Sequence, residues 1–298
     1  MACYKPLTAY RLANGDVSFV ERGDIIKTLS LPCGQCVGCR LERSRQWAMR
    51  IMHEASNYGL SNSFITLTYN DDNLPSDLSL NHTHFQKFFK RLRKSLPSKT
   101  VRYYMCGEYG DEFKRPHYHA CIFNHDFPDR EIVGKTPAGH YIYRSQSLER
   151  LWPFGFSSVG DLTFESAAYV ARYVMKKITG DAADTHYQMV DTDTGEIFWR
   201  VPEYNRMSLK PGIGADWFEK YRSDVYPHDE VIVNGVACKP PRYYDKMLKR
   251  IDPLMYDDIK YYREIDNLNR LSDNTLERLE IRERLALQRL SQLKRSLK

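Results

Sequence analysis

The stretch Arg115-Pro116-His117-Tyr118-His119-Ala120-Cys121-Ile122-Phe123 limits the fold more than any other part of the chain. Its apolar run predicts a strand from about His117, with Pro116 at the start, where a missing backbone donor is tolerated. Side chains alternate along a strand, so His117 and His119 share one face and Tyr118 takes the other. Upstream, Val101 to Glu108 reads as a second strand. Tyr109 to Lys114, with Gly110 and three charged residues, reads as a loop, so the two strands predict a hairpin. Folding that hairpin brings Glu108 opposite or near the histidines, with Asp111 and Glu112 as the other carboxylates within reach. Two imidazoles and a carboxylate can hold a divalent ion and leave positions open for water and phosphate oxygens. The alternative is a pair of satisfied polar residues on a sheet.

The rest of the chain supplies company for this hairpin. Phe64 to Tyr69 is β-branched and aromatic, a strand ended by Asn70-Asp71-Asp72-Asn73 and Pro75. His82 to Leu96 carries Phe85, Phe88, Phe89, Leu92 and Leu96 at helical spacing and stops before Pro97. Lys87, Lys90, Arg91, Arg93 and Lys94 fill the remaining surface, either as a solvated face or as one that meets phosphates. Asn124 to Tyr143 reads as loop-rich, followed by a short helix near Leu148 to Trp152 and a strand near Ser157 to Val159. Phe164 to Ile178 is a stronger helix closed by Gly180. At about 100° per residue, Tyr169, Tyr173 and Lys177 share a stripe, with Lys176 beside it. Tyrosines so spaced are either core residues or a row of presented hydroxyls. Later, a hairpin is predicted around Thr192-Asp193-Thr194-Gly195, a helix with Trp217 after Pro211-Gly212-Ile213-Gly214, and a hairpin turning at Asn234-Gly235. From Pro253 the chain is charged and helical. Leu276, Leu279, Leu290, Leu293 and Leu297 approximate a heptad seam that Glu283 interrupts.

The N-terminal region carries Pro32-Cys33-Gly34-Gln35-Cys36-Val37-Gly38-Cys39. Spacers of two residues let Cys33, Cys36 and Cys39 curl around one ion, and Cys3 or His53 can complete four ligands for a structural Zn²⁺. Unliganded thiols on a turn are the other reading. The following segment, Glu42 to Tyr58, is helical with Trp47, Ile51 and Ala55 on one side and Arg43 and Arg45 among its basic residues. No apolar run is long enough to span a bilayer, and the N-terminus lacks a signal-peptide core, so the sequence predicts a cytoplasmic protein with reduced cysteines. The net charge of +6 is mild, so any affinity for nucleic acid has to come from local clustering.

Three stretches in order, Phe64–Tyr69, then Arg115-Pro116-His117-Tyr118-His119, then Tyr169 to Lys177, resemble the motifs of HUH endonucleases, the initiators of rolling-circle replication. The cysteine segment and Met207-Ser208-Leu209-Lys210-Pro211-Gly212-Ile213-Gly214 bring the likeness closer to the initiators of gokushoviruses, single-stranded DNA bacterial viruses of the Microviridae. The resemblance implies an α+β fold, a central antiparallel sheet flanked by helices, between the N-terminal cysteine-rich extension and the helical C-terminal region. It divides the chain into 1–60, an HUH core at 61–180, an accessory region at 181–252 and charged helices at 253–298. It implies Mg²⁺ or Mn²⁺ on His117, His119 and Glu108, with Tyr169, Tyr173 and Lys177 as catalytic residues. The implied partner is single-stranded origin DNA in the cytoplasm of a bacterial host, held by Arg43, Arg45, Lys87, Lys90, Arg91, Lys94 and Lys176. Host helicase and polymerase would follow. Tyrosines placed after the histidine motif favour a replication initiator over a relaxase or transposase. The competing class is a non-catalytic, zinc-bearing DNA-binding protein.

Overall fold

A computed structural model describes residues 3–110, 113–172, 180, 182–190 and 194–292. The chain makes two compact units, one of residues up to Arg43 together with those from Leu248 onward, the other Ser44–Met247. The first opens with a small antiparallel sheet, β1 (Leu7–Leu12), β2 (Val17–Ser18) and β3 (Ile25–Leu31), in the order β2-β1-β3. These strands were not legible in the sequence, because they are largely exposed and show no clean alternation. The 20-residue helix α1 (Val37–Ser56) begins in this unit and continues into the other.

The larger unit is built on a seven-stranded sheet. Its elements run β4 (Asn62–Tyr69), α2 (His82–Ser95), β5 (Arg102–Tyr109), β6 (Pro116–Phe123), β7 (Glu131–Lys135), β8 (Tyr141–Arg144), α3 (Gln146–Leu151), β9 (Gly155–Gly160), α4 (Phe164–Arg172), α5 (Ala182–Tyr187), β10 (Gln188–Val190), β11 (Ile197–Trp199) and β12 (Tyr204–Met207). The sheet order is β12-β5-β6-β4-β9-β8-β7 and every pairing is antiparallel, so the predicted α+β architecture holds. β10 and β11 form the predicted separate hairpin. The loop-rich reading of residues 124–143 is corrected: β7 and β8 form an edge hairpin there. A register shift between Ile132 and Gly134 breaks the alternation that would have announced it.

Both faces of the sheet are covered. On one, Phe85, Phe88, Phe89 and Leu92 of α2 pack with Ile65, Leu67, Met105, Tyr118 and Ile122. The apolar stripe of α2 therefore buries as its spacing predicts, and Asn81 caps it by accepting from the Thr83 N–H. On the other, Ala48, Ile51 and Ala55 of α1 and Ala167 and Val170 of α4 meet Tyr104, Cys106, Cys121 and Phe123. Alternation in β5 and β6 divides the residues between these cores.

The chain continues through α6 (Ala215–Val225), β13 (Val231–Val233), β14 (Val236–Cys238) and α7 (Arg242–Ile251). Asn234 and Gly235 both take positive φ in the β13–β14 turn, as its sequence predicts. A buried ion pair links α1 to the sheet: Arg102 Nη1 lies 2.7 Å from Glu54 Oε1, and Glu54 Oε2 accepts from the Gly214 N–H at 2.7 Å. Arg102 also donates to the Pro211 carbonyl, so the Lys210–Gly214 segment is held from two sides. Next to Glu54, the His53 ring stacks on Trp217 at 3.5 Å between centroids and its Nδ1 meets the Tyr244 hydroxyl at 2.8 Å. The remaining helices are α8 (Pro253–Asn269), capped by Asp252, and α9 (Leu276–Gln292). They belong with β1–β3, where Lys27 meets Glu264 and Lys5 meets Glu283. Of the heptad-like leucines, Leu279 is buried and Leu276 exposed, and Glu283 has an ion-pair partner. Among the described residues no helix is long and apolar enough to cross a membrane.

Burial pushes the His53 imidazole down to about 4, so the ring is neutral in the fold. The unfolded chain takes up this proton first, near the ordinary histidine value. The stabilisation is therefore complete above about pH 6.5 and is lost as the pH falls towards 4. Between pH 7 and pH 4 the unfolding free energy, measured by urea denaturation, should drop by about 2–3 kcal/mol more than in His53→Gln. Parallel pH profiles for the two proteins would contradict this account.

Candidate functional site

The site forms where β5, β6 and β4 lie side by side. Glu108 pairs directly with His117, His117 with Thr68, and His119 with both Cys106 and Thr66. Directly paired residues point to the same face, so the carboxylate and both imidazoles project together, on the α1/α4 side of the sheet. Glu108 Oε1 lies 3.0 Å from His117 Nε2 and 3.0 Å from His119 Nε2. Glu108 is 1% exposed and His119 6%, while His117 keeps more contact with solvent. The three residues each offer one ligand atom, all within 4.8 Å of one another, and so form a group that could hold a metal ion.

The outer nitrogens of the rings fix their orientation. His117 Nδ1 lies 3.1 Å from the Arg115 carbonyl, which can only accept, so Nδ1 carries the hydrogen. A neutral His117 ring then presents the Nε2 lone pair to a carboxylate oxygen. Two such atoms at 3.0 Å need a cation between them, either a proton on the ring or a bound metal. His119 Nδ1 is held by the Thr66 hydroxyl at 2.9 Å. Burial raises the Glu108 carboxyl, but hydrogen bonds and positive charge from His117 and His119 outweigh it and hold the group well below the usual carboxylate range. This donor set, two imidazole nitrogens and one buried carboxylate oxygen with their outer partners in place, fits a divalent cation.

Arg115 organises the hairpin. Its carbonyl accepts from the Gly110 N–H at 3.0 Å as well as from His117, and its guanidinium donates to the Tyr69 carbonyl and to Asp71. The other predicted carboxylates, Asp111 and Glu112, lie outside the described residues.

Helix α4 borders this cluster. Thr163 and Ser166 exchange backbone-to-side-chain hydrogen bonds at its start, a reciprocal cap. Burial of Ala167 and Val170 turns Tyr169 to the site, where its ring meets His119 edge-on at 5.1 Å and Phe64 edge-on at 6.3 Å. Tyr173, Lys176 and Lys177 lie outside the described residues. Among the basic residues, Arg45 donates both Nη atoms to the Lys239 carbonyl, Arg91 clamps the Leu151 carbonyl, and Arg43 reaches the Gly34 carbonyl. Lys87, Lys90 and Lys94 are exposed, on a helix that covers the opposite face of the sheet. Thr66, Phe64 and the Arg115 carbonyl were not foreseen. Pairing the 64–69 strand beside the histidine strand would have exposed Thr66 and Phe64.

A second group that could hold a metal ion lies in the smaller unit: Cys3, Cys33, Cys36 and Cys39, all free thiols. Sulfur separations are 3.7 Å (Cys3–Cys33), 3.9 Å (Cys3–Cys36) and 4.0 Å (Cys33–Cys39). Zinc–sulfur bonds of about 2.3 Å in a tetrahedron demand edges of about 3.8 Å. Backbone N–H groups of Tyr4, Cys33, Gln35 and Cys36 donate to these sulfurs. Gly34 has φ +75°, which lets the chain turn tightly between Cys33 and Cys36. His53, the other candidate for the fourth position, is occupied by Trp217 and Tyr244.

Comparison with known proteins gives one consistent result. Residues 62–178 match the family model for replication-associated proteins of the ORF2 type. The chain is 34% identical to replication-associated protein ORF2 of Spiroplasma virus 4, over 89% of this chain and 86% of that one. It is 34% identical to replication-associated protein VP4 of Bdellovibrio phage phiMH2K, over 85% and 79%, and 30% identical to replication-associated protein ORF4 of Chlamydia phage 1, over 74% and 54%. No solved structure matches it.

Proposed function

The chain belongs to the family of viral replication-associated proteins, and from that premise we propose that it nicks and rejoins single-stranded viral origin DNA by tyrosine transesterification. The observation that carries the proposal is the convergence of His117 Nε2 and His119 Nε2 on Glu108 Oε1 beside the Tyr169 ring. Glu108, His117 and His119 would hold Mg²⁺ or Mn²⁺, which when bound supplies Lewis acidity and orientation to a phosphodiester. The Thr66 hydroxyl and the Arg115 carbonyl fix the rings, so the ligands need no rearrangement.

Tyr169 and Tyr173 supply the nucleophiles. The tyrosine oxygen attacks phosphorus, the phosphorus–O3′ bond breaks, and the proton lost by the phenol is balanced by one gained at the departing 3′ oxygen. The product is a 5′-phosphotyrosine link with a free 3′-hydroxyl that primes synthesis. Because no water attacks, the bond energy is retained for rejoining. The second tyrosine allows the regenerated origin to be cut after one circuit, and the released 3′-hydroxyl then attacks the first link. Lys177, with Lys176, neutralises phosphate charge, and the lysines of α2 contact phosphates away from the reaction centre. The partners are origin DNA and the host's helicase and polymerase, in the bacterial cytoplasm. At the cysteines we assign a structural Zn²⁺, supported by the tetrahedral sulfur spacing.

With an origin oligonucleotide and Mn²⁺, the wild type should form a covalent adduct resolved by denaturing gel electrophoresis. The Tyr169→Phe/Tyr173→Phe double variant should form none; an adduct in that variant would sink the assignment. His117→Ala and His119→Ala should lose nicking by about a hundredfold or more while DNA binding survives. Nicking that persists in excess chelator would exclude a metal-dependent reaction. Elemental analysis of the purified protein should find about one zinc per chain, absent from Cys33→Ser/Cys36→Ser, and a zinc-free wild type would refute the structural site.

A further inference from the structure

The rung of the sheet that carries Glu108 and His117 does not end at β4. Thr68, opposite His117, is itself opposite Phe156 of β9. Four directly paired residues, Glu108, His117, Thr68 and Phe156, therefore project from one face in a row across β5, β6, β4 and β9. Phe156 is 69% exposed, although most large aromatics of this sheet are buried. Its neighbour on the opposite face, Gly155, explains part of the geometry. Gly155 has φ +150° and a side chain there would strike the backbone of Asn70, so the strand enters tightly and presents Phe156 outward.

Two strand spacings separate Phe156 from His117, about 10 Å along the rung. A polynucleotide whose phosphate lies at Glu108, His117 and His119 can therefore place a neighbouring base over Phe156. Beside the ring opens a cleft of about 480 Å³ lined by Val133, Tyr143, Arg144, Glu149 and Ser158 among others. Arg144 and Glu149 form a two-point ion pair across it, with Nε–Oε1 at 2.5 Å and Nη2–Oε2 at 3.0 Å. The carboxylate offsets the guanidinium charge and repels phosphate. What remains is an aromatic face beside paired donors and acceptors, which suits the plane and polar edge of a nucleobase.

We propose that Phe156 is a stacking platform for a base next to the reacting phosphodiester, and that the adjoining cleft receives the edge of that base. This rests on the DNA-nicking reading, and it adds the direction of the strand: from the carboxylate–imidazole cluster over β4 to β9. Stacking is tolerant of sequence, so a homopolymer reports it.

The test is binding without chemistry, by fluorescence anisotropy in excess EDTA, with labelled oligothymidine and an abasic strand of equal length. Phe156→Ala should weaken oligothymidine binding by about fivefold or more and leave the abasic strand unaffected, and Phe156→Trp should restore affinity. Thermal melting should be unchanged, because the ring is exposed. 5-Iodouracil placed in the strand should cross-link to Phe156, identified by peptide mass spectrometry. Wild-type affinity in Phe156→Ala, or equal losses on both strands, would overturn the platform while leaving the nicking assignment intact. A wild type that binds neither strand would overturn both.

Discussion

The pairing of β6 between β5 and β4 is the constraint on which the rest depends. Because side chains alternate, a slip of one residue would carry His117 and His119 into the α2 core and expel Tyr118. That outcome is opposed from behind. The buried Tyr118 hydroxyl donates to the Asn81 carbonyl, accepts from the Asn81 N–H, and meets the Tyr69 hydroxyl at 2.9 Å. The aromatic core on one face thus fixes the register that brings a carboxylate and two imidazoles together on the other. Burying Glu108 almost completely is costly in isolation, and the two rings at 3.0 Å offset that cost.

Much of this was legible in the sequence. Alternation in Val101–Glu108 and His117–Phe123 gives the hairpin, and the hairpin puts Glu108 opposite His117. The α2 stripe and the Asn234-Gly235 turn follow from local rules that tertiary context does not override. What was hidden depends on non-local pairing. Thr66 as the partner of His119, and the row that reaches Phe156, appear only when β4 is known to pair with both β6 and β9. The edge hairpin β7–β8 was obscured by its irregular register. Charge also misled in part: Arg45 and Arg91 look like phosphate ligands, yet their guanidinium groups satisfy backbone carbonyls at helix and loop ends.

The two groups able to hold metal differ in kind. The cysteines form a closed set of four donors with sulfurs supported by backbone N–H groups, which suits a fixed structural ion. The carboxylate and imidazoles offer three donors, on a face that remains open towards β9, so positions are left for exchangeable ligands. The chain therefore separates a site that stabilises its own unit from one suited to chemistry, and each lies within its own compact unit.

The double role of the Arg115 carbonyl has a consequence for how this hairpin can vary. One oxygen closes the base of the loop through Gly110 and aligns His117, while the Arg115 guanidinium ties the same residue to the end of β4. Alignment is thus completed before the tip begins. Residues inserted between Gly110 and Arg115 would lengthen the protrusion without turning the imidazole, leaving the tip free to diverge among viruses while the centre beneath it stays the same.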